Sequence, residues 1–428
     1  MPATFVGFGF GPIQTGLMLC EAAESGNFDR FVIAEVDQVL VDAVRAAGDV
    51  VTINIAGAGG IRTQRLPGIR LCNPRVPADR TAIVSAVRDA RELATAIPSV
   101  SFYGAGGSSS IASLIAEGAD PGTQRIVYTA ENNNYAAELL REELLKNASR
   151  DRFAGLQVLN TVIGKMSGVI SSAEEMRELE LSPMVPGFEK CVLVEEFNRI
   201  LISRIALPGF TRGIRVFEEK DDLLPFEEAK LYGHNAVHAL LGSLARLRGY
   251  TAMSQIRDDA ELMSFGREAF LGECGAALIG KHGKTGDPLF TDGGFASYAD
   301  DLLGRMTNPF LHDRVERIIR DPRRKLAWSD RFFGTMRMAM ARGIEPKALA
   351  LGAAAAALFA LELERGAAAP QRGAAAPQRG AAAPQRGAAD TPREYLLALW
   401  GAEAAEPERG ACLSLVEDAI PRLRAWQG

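Results

Sequence analysis

The architecture of this chain follows from one stretch near its beginning, Thr4-Phe-Val-Gly-Phe-Gly-Phe-Gly-Pro-Ile-Gln-Thr-Gly16. A short apolar strand runs into a glycine-rich turn, and a helical pattern continues to Glu24. Glycines permit a tight turn and bring backbone amides close to a pyrophosphate, which then binds at the positive end of the helix. We therefore predict a dinucleotide-binding turn in which the cofactor is contacted by Gly7, Gly9, Gly11, Pro12 and Ile13.

The turn departs from the G-x-G-x-x-G pattern at one position. After Gly7 and Gly9, the third glycine position holds Pro12, and Gly11 stands one place early. Proline is tolerated in the first turn of a helix, where its missing N–H would have no partner. The departure weakens the motif but leaves a dinucleotide-binding turn as its best interpretation.

A second buried strand, Arg30-Phe-Val-Ile-Ala-Glu-Val-Asp37, follows about 20 residues after the glycines, as a dinucleotide-binding unit requires. Glu35 and Asp37 are the candidate cofactor-binding acids, and Glu35 is the better placed to bond the ribose hydroxyls. A carboxylate there repels a 2′-phosphate and no arginine follows at once, so NAD is predicted rather than NADP. The alternative is an acid that merely ends a strand.

The pattern changes along the chain. Residues 1–192 mix glycine turns with β-rich runs and predict an α/β, Rossmann-type dinucleotide-binding domain with a parallel-rich sheet. Residues 193–428 carry long amphipathic segments and predict a mainly α-helical substrate and catalytic domain. Within it, the unit Gly-Ala-Ala-Ala-Pro-Gln-Arg occurs three times, and we interpret 366–389 as an exposed, mobile low-complexity insertion.

Composition excludes several function classes. A net charge of −5 and a pI near 5.7 give no basic footprint for nucleic acid. The 5 cysteines are widely spaced, which favours reduced thiols in the cytoplasm, and the 4 histidines form no zinc-binding pattern. The longest apolar run, 348–361, is too short to cross a bilayer, and no cationic signal region precedes the first strand. We expect a cytoplasmic protein without a bound metal.

The catalytic candidates are Lys230, Asn235 and His238, spaced as K-x4-N-x2-H. At about 100° per residue of α-helix, Asn235 lies near ~140° and His238 near ~80° from the lysine, so all three can face one pocket. Lysine can accept the proton of an alcohol, asparagine can hold the developing oxyanion, and histidine can bond a substrate hydroxyl. The alternative is an ordinary helix with polar caps and a core histidine.

With these residues in view, the chain resembles the polyol-specific long-chain dehydrogenases, the mannitol dehydrogenase family. The resemblance implies that K-x4-N-x2-H is the catalytic signature and that a lysine is the base, without a metal. It also implies that Glu131-Asn132 is the family's acid-asparagine pair, in which Glu131 belongs to the cofactor site and Asn132 holds the substrate oxygen. Glu227 matches an acid thought to help the proton leave.

Two further segments resemble the family. The stretch from Asn308 to Leu326 is similar to its C-terminal signature, and the segment from Arg342 to Ala353 is most similar to the mannitol-1-phosphate 5-dehydrogenase branch. That branch implies oxidation of mannitol 1-phosphate to fructose 6-phosphate with NAD, or the reverse, by a monomer or weak dimer. One element is missing, because the stretch before Gly164-Lys165 lacks the aspartate of the family's Asp-Arg pair.

A phosphorylated substrate needs cations, and Arg324 and Lys325 are the first choices because they lie in the signature. His234, near ~40° on the helix, is a candidate for a substrate hydroxyl or phosphate. The alternatives are a solvated basic helix face and a packed histidine. A non-phosphorylated polyol or a hexuronate remains the alternative substrate, and a non-catalytic nucleotide- or sugar-binding protein remains the alternative function.

Overall fold

The structure, a computed structural model, describes residues 3–368 and 389–427. Most of the repeat segment expected at 366–389 therefore lies outside the described residues. The chain divides into two compact units, Met1–Glu227 and Glu228–Gly428. The division lies after the expected domain boundary at 192/193, because the strands at 201–203 and 218–220 still pair with the sheet of the first unit.

The strands of the first unit are β1 (Thr4–Phe8), β2 (Arg30–Ala34), β3 (Val51–Ala56), β4 (Ile61–Leu66), β5 (Ile69–Cys72), β6 (Ala90–Thr95), β7 (Arg125–Thr129), β8 (Leu156–Val162), β9 (Ser167–Ile170), β10 (Cys191–Glu195), β11 (Leu201–Ser203) and β12 (Glu218–Lys220). Its helices are α1 (Cys20–Glu24), which continues a π-helical segment (Gln14–Leu19), α2 (Gln38–Ala46), α3 (Pro77–Asp89), α4 (Ile111–Gly118), α5 (Ala136–Asn147) and α6 (Ala173–Glu178). Helix α7 (Leu224–Glu228) crosses the division between the units.

The main sheet has the order β12-β11-β8-β7-β6-β1-β2-β5, and β4-β3-β10-β9 form a second sheet. From β8 to β5 every neighbouring pair in the main sheet is parallel, and β11 pairs antiparallel with β8. Strand β1 lies between β2 and β6, so successive connections leave it toward opposite sides. Ligands of open α/β sheets bind in the crevice that this reversal creates outside the carboxyl ends of the strands.

Both faces of the main sheet are covered by apolar side chains. Phe5 and Ile33 point into one buried cluster, whereas Val6 and Val32 point into the other. A strand buried on both faces reads as a continuous apolar run rather than as an alternation, which is the pattern of β1 and β2. The predicted α/β class with a parallel-rich sheet and a helical C-terminal part is confirmed.

The glycine turn is shaped by close packing. Gly9 has a φ of +85°, and its N–H donates to Ala34 O at 2.9 Å. A Cβ at Gly9 would lie 2.6 Å from Ala96 O, whereas one at Gly11 would meet nothing within 4 Å. Gly16 lets the following helix approach β10, since its Cβ would lie 2.4 Å from a methyl group of Val194. Only the first and last of these three positions therefore demand glycine for space.

The second unit is helical in its described residues. A π-helical segment (Ala229–His234) leads into α8 (Asn235–Leu247), and later helices are α9 (Ala260–Ala269), α10 (Ala276–His282), α11 (Asp292–Met306), α12 (Val315–Ile319), α13 (Pro322–Lys325), α14 (Phe333–Met340), α15 (Lys347–Ala368), α16 (Pro392–Trp400) and α17 (Glu408–Ala419). Helix α8 packs against α12 and α15. Among the described helices, none combines the length and the apolar character needed to cross a membrane.

Replacing Gly9 by alanine should lower the free energy of unfolding by about 1–3 kcal/mol, because it puts a side chain at positive φ and against Ala96 O. Gly11→Ala is the matched control in the same turn and should leave stability unchanged or raise it by up to about 1 kcal/mol. Urea unfolding monitored by circular dichroism measures both. Equal losses in the two variants would contradict the packing described here.

Candidate functional site

A cavity of about 710 Å³ opens in the first unit at the carboxyl ends of the parallel strands. Five predicted cofactor residues line it, namely Gly9, Gly11, Pro12, Ile13 and Glu35. The other walls come from the ends of β5, β6 and β7 and from the segment before α4, with Pro74, Arg75, Ala96, Ile97, Pro98, Phe102 and Ala130 among them. The cavity therefore lies where the order of the sheet reverses and has the dimensions of a cofactor site.

Glu35 is held in place by its own loop. Its Oε1 accepts the N–H of Val36 at 2.7 Å and of Asp37 at 2.9 Å, and its backbone N–H donates to Cys72 O at 2.9 Å. These bonds fix one carboxylate oxygen of a residue that lines the cavity. A fixed acid at this position suits a pair of ribose hydroxyls.

Within the described residues, Gly7, Asp37 and Glu131 lie outside the lining of this cavity. Gly7 packs inside the sheet, where a Cβ would lie 2.3 Å from the amide nitrogen of Gln14. Asp37 is the N-cap of α2, and its Oδ1 accepts the N–H of Val39 at 3.1 Å. Sequence spacing placed Gly7 and Asp37 near the cofactor, and the family resemblance placed Glu131 there. In the structure, Asp37 and Glu131 stabilise elements around the cavity.

Glu131 fastens the ends of two strands. Its carboxylate is buried and accepts the Thr95 hydroxyl at 2.8 Å, the Ile97 N–H at 3.0 Å and the phenol of Tyr103. Burial raises the pKa of Glu131, against the lowering effect of these donors. Since Ile97 lines the cavity, Glu131 shapes the wall from behind. Asn132 follows it directly and is exposed.

In the second unit, Lys230 lies in a π-helical turn rather than in an ideal α-helix. The N–H of Asn235 donates to the carbonyl of Lys230, the i to i+5 bond that defines such a turn. An i to i+5 bond places Lys230 and Asn235 about one turn apart. The angle between them around the helix axis is therefore smaller than the ~140° expected for an ideal α-helix. π-Bulges occur frequently at functional sites because the extra residue re-aims side chains.

His234 and His238 stand four residues apart, about one α-helical turn, and their side chains lie close together. His234 and His238 have ring centroids 6.0 Å apart. His234 is only 6% exposed, and burial lowers its pKa well below 6.5, helped by the charges of His238, Arg305, Lys230 and Arg331. His234 is therefore a neutral imidazole beside a group of cations.

Asp313 accompanies His238. Its Oδ2 lies 3.5 Å from His238 Nε2, and its Oδ1 accepts the Nε–H of Arg317 at 2.8 Å. Burial alone would raise the pKa of Asp313, but His238 and Arg317 together hold it below its usual value. The carboxylate therefore lies beside the imidazole at 3.5 Å, and the two facing atoms are buried without a hydrogen bond between them.

The predicted phosphate ligands have other partners. Arg324 Nε donates to Asp321 Oδ2 at 3.2 Å on the exposed side of α13. Lys325 is buried and donates to Arg320 O. Burial, with the charges of Arg331 and Arg324, lowers the pKa of Lys325 to about 8.

A partly buried group of charged side chains stabilises the start of the helix that carries Lys230. Glu228 Oε2 lies 2.7 Å from His282 Nε2, and Glu228 Oε1 accepts Lys281 Nζ at 2.6 Å. Glu227, the acid predicted to help the proton leave, is half-buried in α7 immediately before these residues. Helix α10 therefore anchors the π-helical turn from one side.

Asp313, Arg305 and Arg331 were not selected from the sequence. Asp313 stands inside the quoted signature but had no visible partner, because the histidine it contacts is far away along the chain. The two arginines flank the signature, and only the fold distinguishes them from other arginines nearby. Among the described residues, no group of three or more His, Cys, Asp or Glu side chains is arranged to hold a metal ion.

Residues 222–385 match the family described as mannitol dehydrogenase C-terminal domain. A curated relative, the mannitol-1-phosphate 5-dehydrogenase of Caldanaerobacter subterraneus subsp. tengcongensis, is 29% identical over 233 residues. That match spans 54% of this chain and 56% of the relative, so the chain matches only about half of the relative's length.

Two solved structures share the fold. The mannitol 2-dehydrogenase of Pseudomonas fluorescens, described as a ternary complex with NAD and D-mannitol, aligns with a TM-score of 0.67 at 16% identity, over 99% of this chain and 92% of that one. A substrate-free D-sorbitol dehydrogenase aligns with a TM-score of 0.67 at 14% identity, over 83% of this chain and 80% of that one. At these identities the likeness concerns the fold alone.

The second unit is helical in its described residues and follows a Rossmann-type unit. The matches agree with the resemblance expected from the sequence, since residues 222–385 are similar to the mannitol dehydrogenase C-terminal domain and the curated relative is named a mannitol-1-phosphate 5-dehydrogenase.

His234 should make the protein less stable as the pH falls. Its folded-state pKa lies below the unfolded value of 6.5, so the unfolded chain binds the extra proton and stability is lost below about pH 6.5. The loss should be about 1.4 kcal/mol for each pH unit until the folded-state pKa is reached. Urea unfolding measured between pH 7.5 and 5.5 should show that the free energy of unfolding depends less steeply on pH in His234→Gln than in the parent protein. An unchanged slope would place the imidazole in a solvated environment.

Asp313→Asn should lower the free energy of unfolding at pH 7 by about 1–3 kcal/mol, because it removes a buried charge from His238 and Arg317. A carboxylate with a lowered pKa stabilises the fold above its unfolded value of 3.8, and this contribution disappears as the pH falls below that value. The difference in free energy of unfolding between the parent protein and Asp313→Asn should therefore become smaller toward pH 3. Asp300→Asn, which breaks an exposed pair with Arg267, is the control and should cost less than about 1 kcal/mol.

Proposed function

We propose that this chain is an NAD-dependent polyol-phosphate dehydrogenase that oxidises mannitol 1-phosphate to fructose 6-phosphate, or catalyses the reverse reduction. The observation that carries the proposal is the π-helical turn in which the N–H of Asn235 bonds the carbonyl of Lys230, with His238 three residues later. This run offers a candidate base, an amide donor and an imidazole within a segment that matches the mannitol dehydrogenase C-terminal domain.

The cavity of the first unit suits NAD. Its glycine turn exposes backbone at the start of a helix, and Glu35 offers a fixed carboxylate oxygen at the far wall. The apolar side chains of Ile97, Phe102 and Leu114 provide surface for a base ring. When bound, the nicotinamide would accept a hydride from the substrate carbon. The chain's own residues then have to remove the proton of the hydroxyl and hold its oxygen.

Lys230 is the proposed general base. In the oxidation, the C–H electron pair leaves as hydride, the hydroxyl proton passes to the lysine amine, and a carbonyl forms. Lys230, Arg305 and Arg331 all act electrostatically on the imidazole of His234, so the proposed base belongs to the same group of basic side chains as the two arginines. Glu227, three residues earlier, is the proposed group that helps the proton leave.

Asn235 and Asn132 are the proposed donors that hold the substrate oxygen as negative charge develops on it. His238 is the proposed third contact, bonding the same oxygen or a neighbouring hydroxyl. Asp313, which accepts a hydrogen bond from Arg317, lies 3.5 Å from the imidazole and is the proposed group that positions it when the substrate is bound. In this scheme the missing aspartate near Lys165 is not required as a base.

The phosphate proposal depends on cations beside His234. Arg305 and Arg331 influence that imidazole directly, and Arg331 is largely buried. The hydroxyl of Thr335 donates to both Tyr232 O and Arg331 O, which ties the arginine's backbone to the helix carrying the base. We therefore propose Arg305 and Arg331 as further phosphate contacts beside Arg324 and Lys325. Both arginines also pair with an acid, Arg305 with Asp301 at 3.1 Å and Arg331 with Asp330 at 2.7 Å. The name of the curated relative also favours a phosphorylated substrate.

The deciding experiment follows NADH absorbance when the purified protein and NAD receive mannitol 1-phosphate, mannitol, sorbitol, arabinitol or hexonates. We expect mannitol 1-phosphate to be turned over with a kcat/KM well above that of mannitol. A preference for a free polyol or a hexonate would identify the alternative substrate. No turnover in either direction together with normal NAD binding would support the non-catalytic alternative.

Lys230→Ala should lower kcat by about 10²–10⁴-fold, because it removes the general base. The dissociation constant for NAD, measured by calorimetry, should stay within about threefold, since the lysine takes no part in binding the dinucleotide. Lys284→Ala, at an exposed lysine of the same unit, is the matched control and should leave both values unchanged. Parallel loss of turnover and of NAD binding in Lys230→Ala would mean that the lysine has a structural role.

A further inference from the structure

One wall of the dinucleotide cavity carries an arginine that sequence spacing did not reveal. Strands β2 and β5 pair in parallel with Ala34 opposite Cys72, so the residues that follow them emerge at the same edge of the sheet. The backbone N–H of Glu35 donates to Cys72 O at 2.9 Å, which joins the two loops. Arg75 follows three positions later and lines the same cavity as Glu35. The acid and the arginine therefore share one end of the cavity.

The guanidinium of Arg75 is available to a ligand. The residue is exposed, and its side chain makes no hydrogen bond or ion pair with any described residue. The acid nearest to it along the chain, Asp79, is already paired with Arg45 at 2.7 Å and also accepts the N–H of Asn73. Meanwhile the N–H of Arg75 donates to Asn73 Oδ1 at 3.0 Å, so the backbone that carries the guanidinium is fixed.

The carboxylate of Glu35, which lines the same cavity as Arg75, disfavours the binding of a phosphate there. The Glu35 carboxylate is anchored by two backbone N–H groups, so it stays at the wall of the cavity. A phosphate placed there would meet the attraction of Arg75 and the repulsion of Glu35 together. An arginine is well suited to phosphate because its planar fork donates two parallel hydrogen bonds.

We propose that Arg75 is a preformed phosphate-binding group for the adenosine ribose and that Glu35 alone keeps the cavity selective for the dinucleotide without that phosphate. This inference rests on the proposed NAD-dependent function. It predicts that neutralising a single residue converts the cofactor preference, because the cation needed for NADP is already in position.

The test measures the dissociation constants of NAD and NADP by calorimetry for the parent, Glu35→Gln, Arg75→Ala and the double variant. Glutamine keeps a carbonyl oxygen for the N–H groups of Val36 and Asp37, so the loop should hold its shape. We expect Glu35→Gln to bind NADP at least about tenfold more tightly than the parent, and the double variant to lose that gain. Arg75→Ala alone should change NAD binding by less than about threefold.

Arg88→Ala in the Glu35→Gln background is the matched control, since Arg88 is an exposed arginine on α3 that does not line the cavity. It should leave the gain in NADP binding intact, whereas Arg75→Ala abolishes it. Unchanged NADP binding in Glu35→Gln, or a gain that survives Arg75→Ala, would overturn the proposal while leaving the polyol dehydrogenase function standing. A parent protein that binds neither dinucleotide would instead overturn the proposed function and this inference with it.

Discussion

The parallel pairing of β1 with β2 on one side and with β6 on the other is the constraint on which the cofactor site depends. Because the chain leaves β1 toward opposite directions, the loops at the carboxyl ends diverge and open a cavity between them. The positive φ of Gly9 and the close approach of its Cα to Ala96 O let the first loop turn inside this crevice. Without the small residue there, the turn and the adjacent strand end could not both keep their positions.

Buried carboxylates then fix the loops around the cavity. Glu131 ties the end of β6 to that of β7, and Asp79 ties the loop after β5 to α2 through Arg45. Each acid accepts several donors, which compensates for removing its charge from water. These acids fix the backbone of the loops around the cavity but do not themselves line it. Asp37 belongs to the same group, since it caps a helix next to the acid that faces the ligand.

In the second unit, the arrangement of charge is different. A neutral His234 lies among Lys230, Arg305 and Arg331. Acids pair with the two arginines, Asp301 with Arg305 and Asp330 with Arg331, and Asp313 lies beside His238. Cations beside the proposed base suit an anionic substrate.

The sequence by itself determined the α/β character of the first part, the glycine turn, the acid Glu35 after the second strand and the helical run that carries Lys230, Asn235 and His238. These features depend on local patterns, because strands, turns and helices leave a periodic or stereochemical signature within a few residues. Tertiary structure alone decided that Asp37 and Glu131 hold elements rather than line the cavity, that Lys230 lies in a π-helical turn, and that Asp313 meets His238. It also decided that Arg75 stands beside Glu35 and that Arg305 and Arg331 lie near His234 whereas Arg324 pairs with Asp321. Each of these outcomes requires contacts between residues far apart in the chain or a register that periodicity cannot resolve, and such contacts exist only once the strands have paired and the helices have packed.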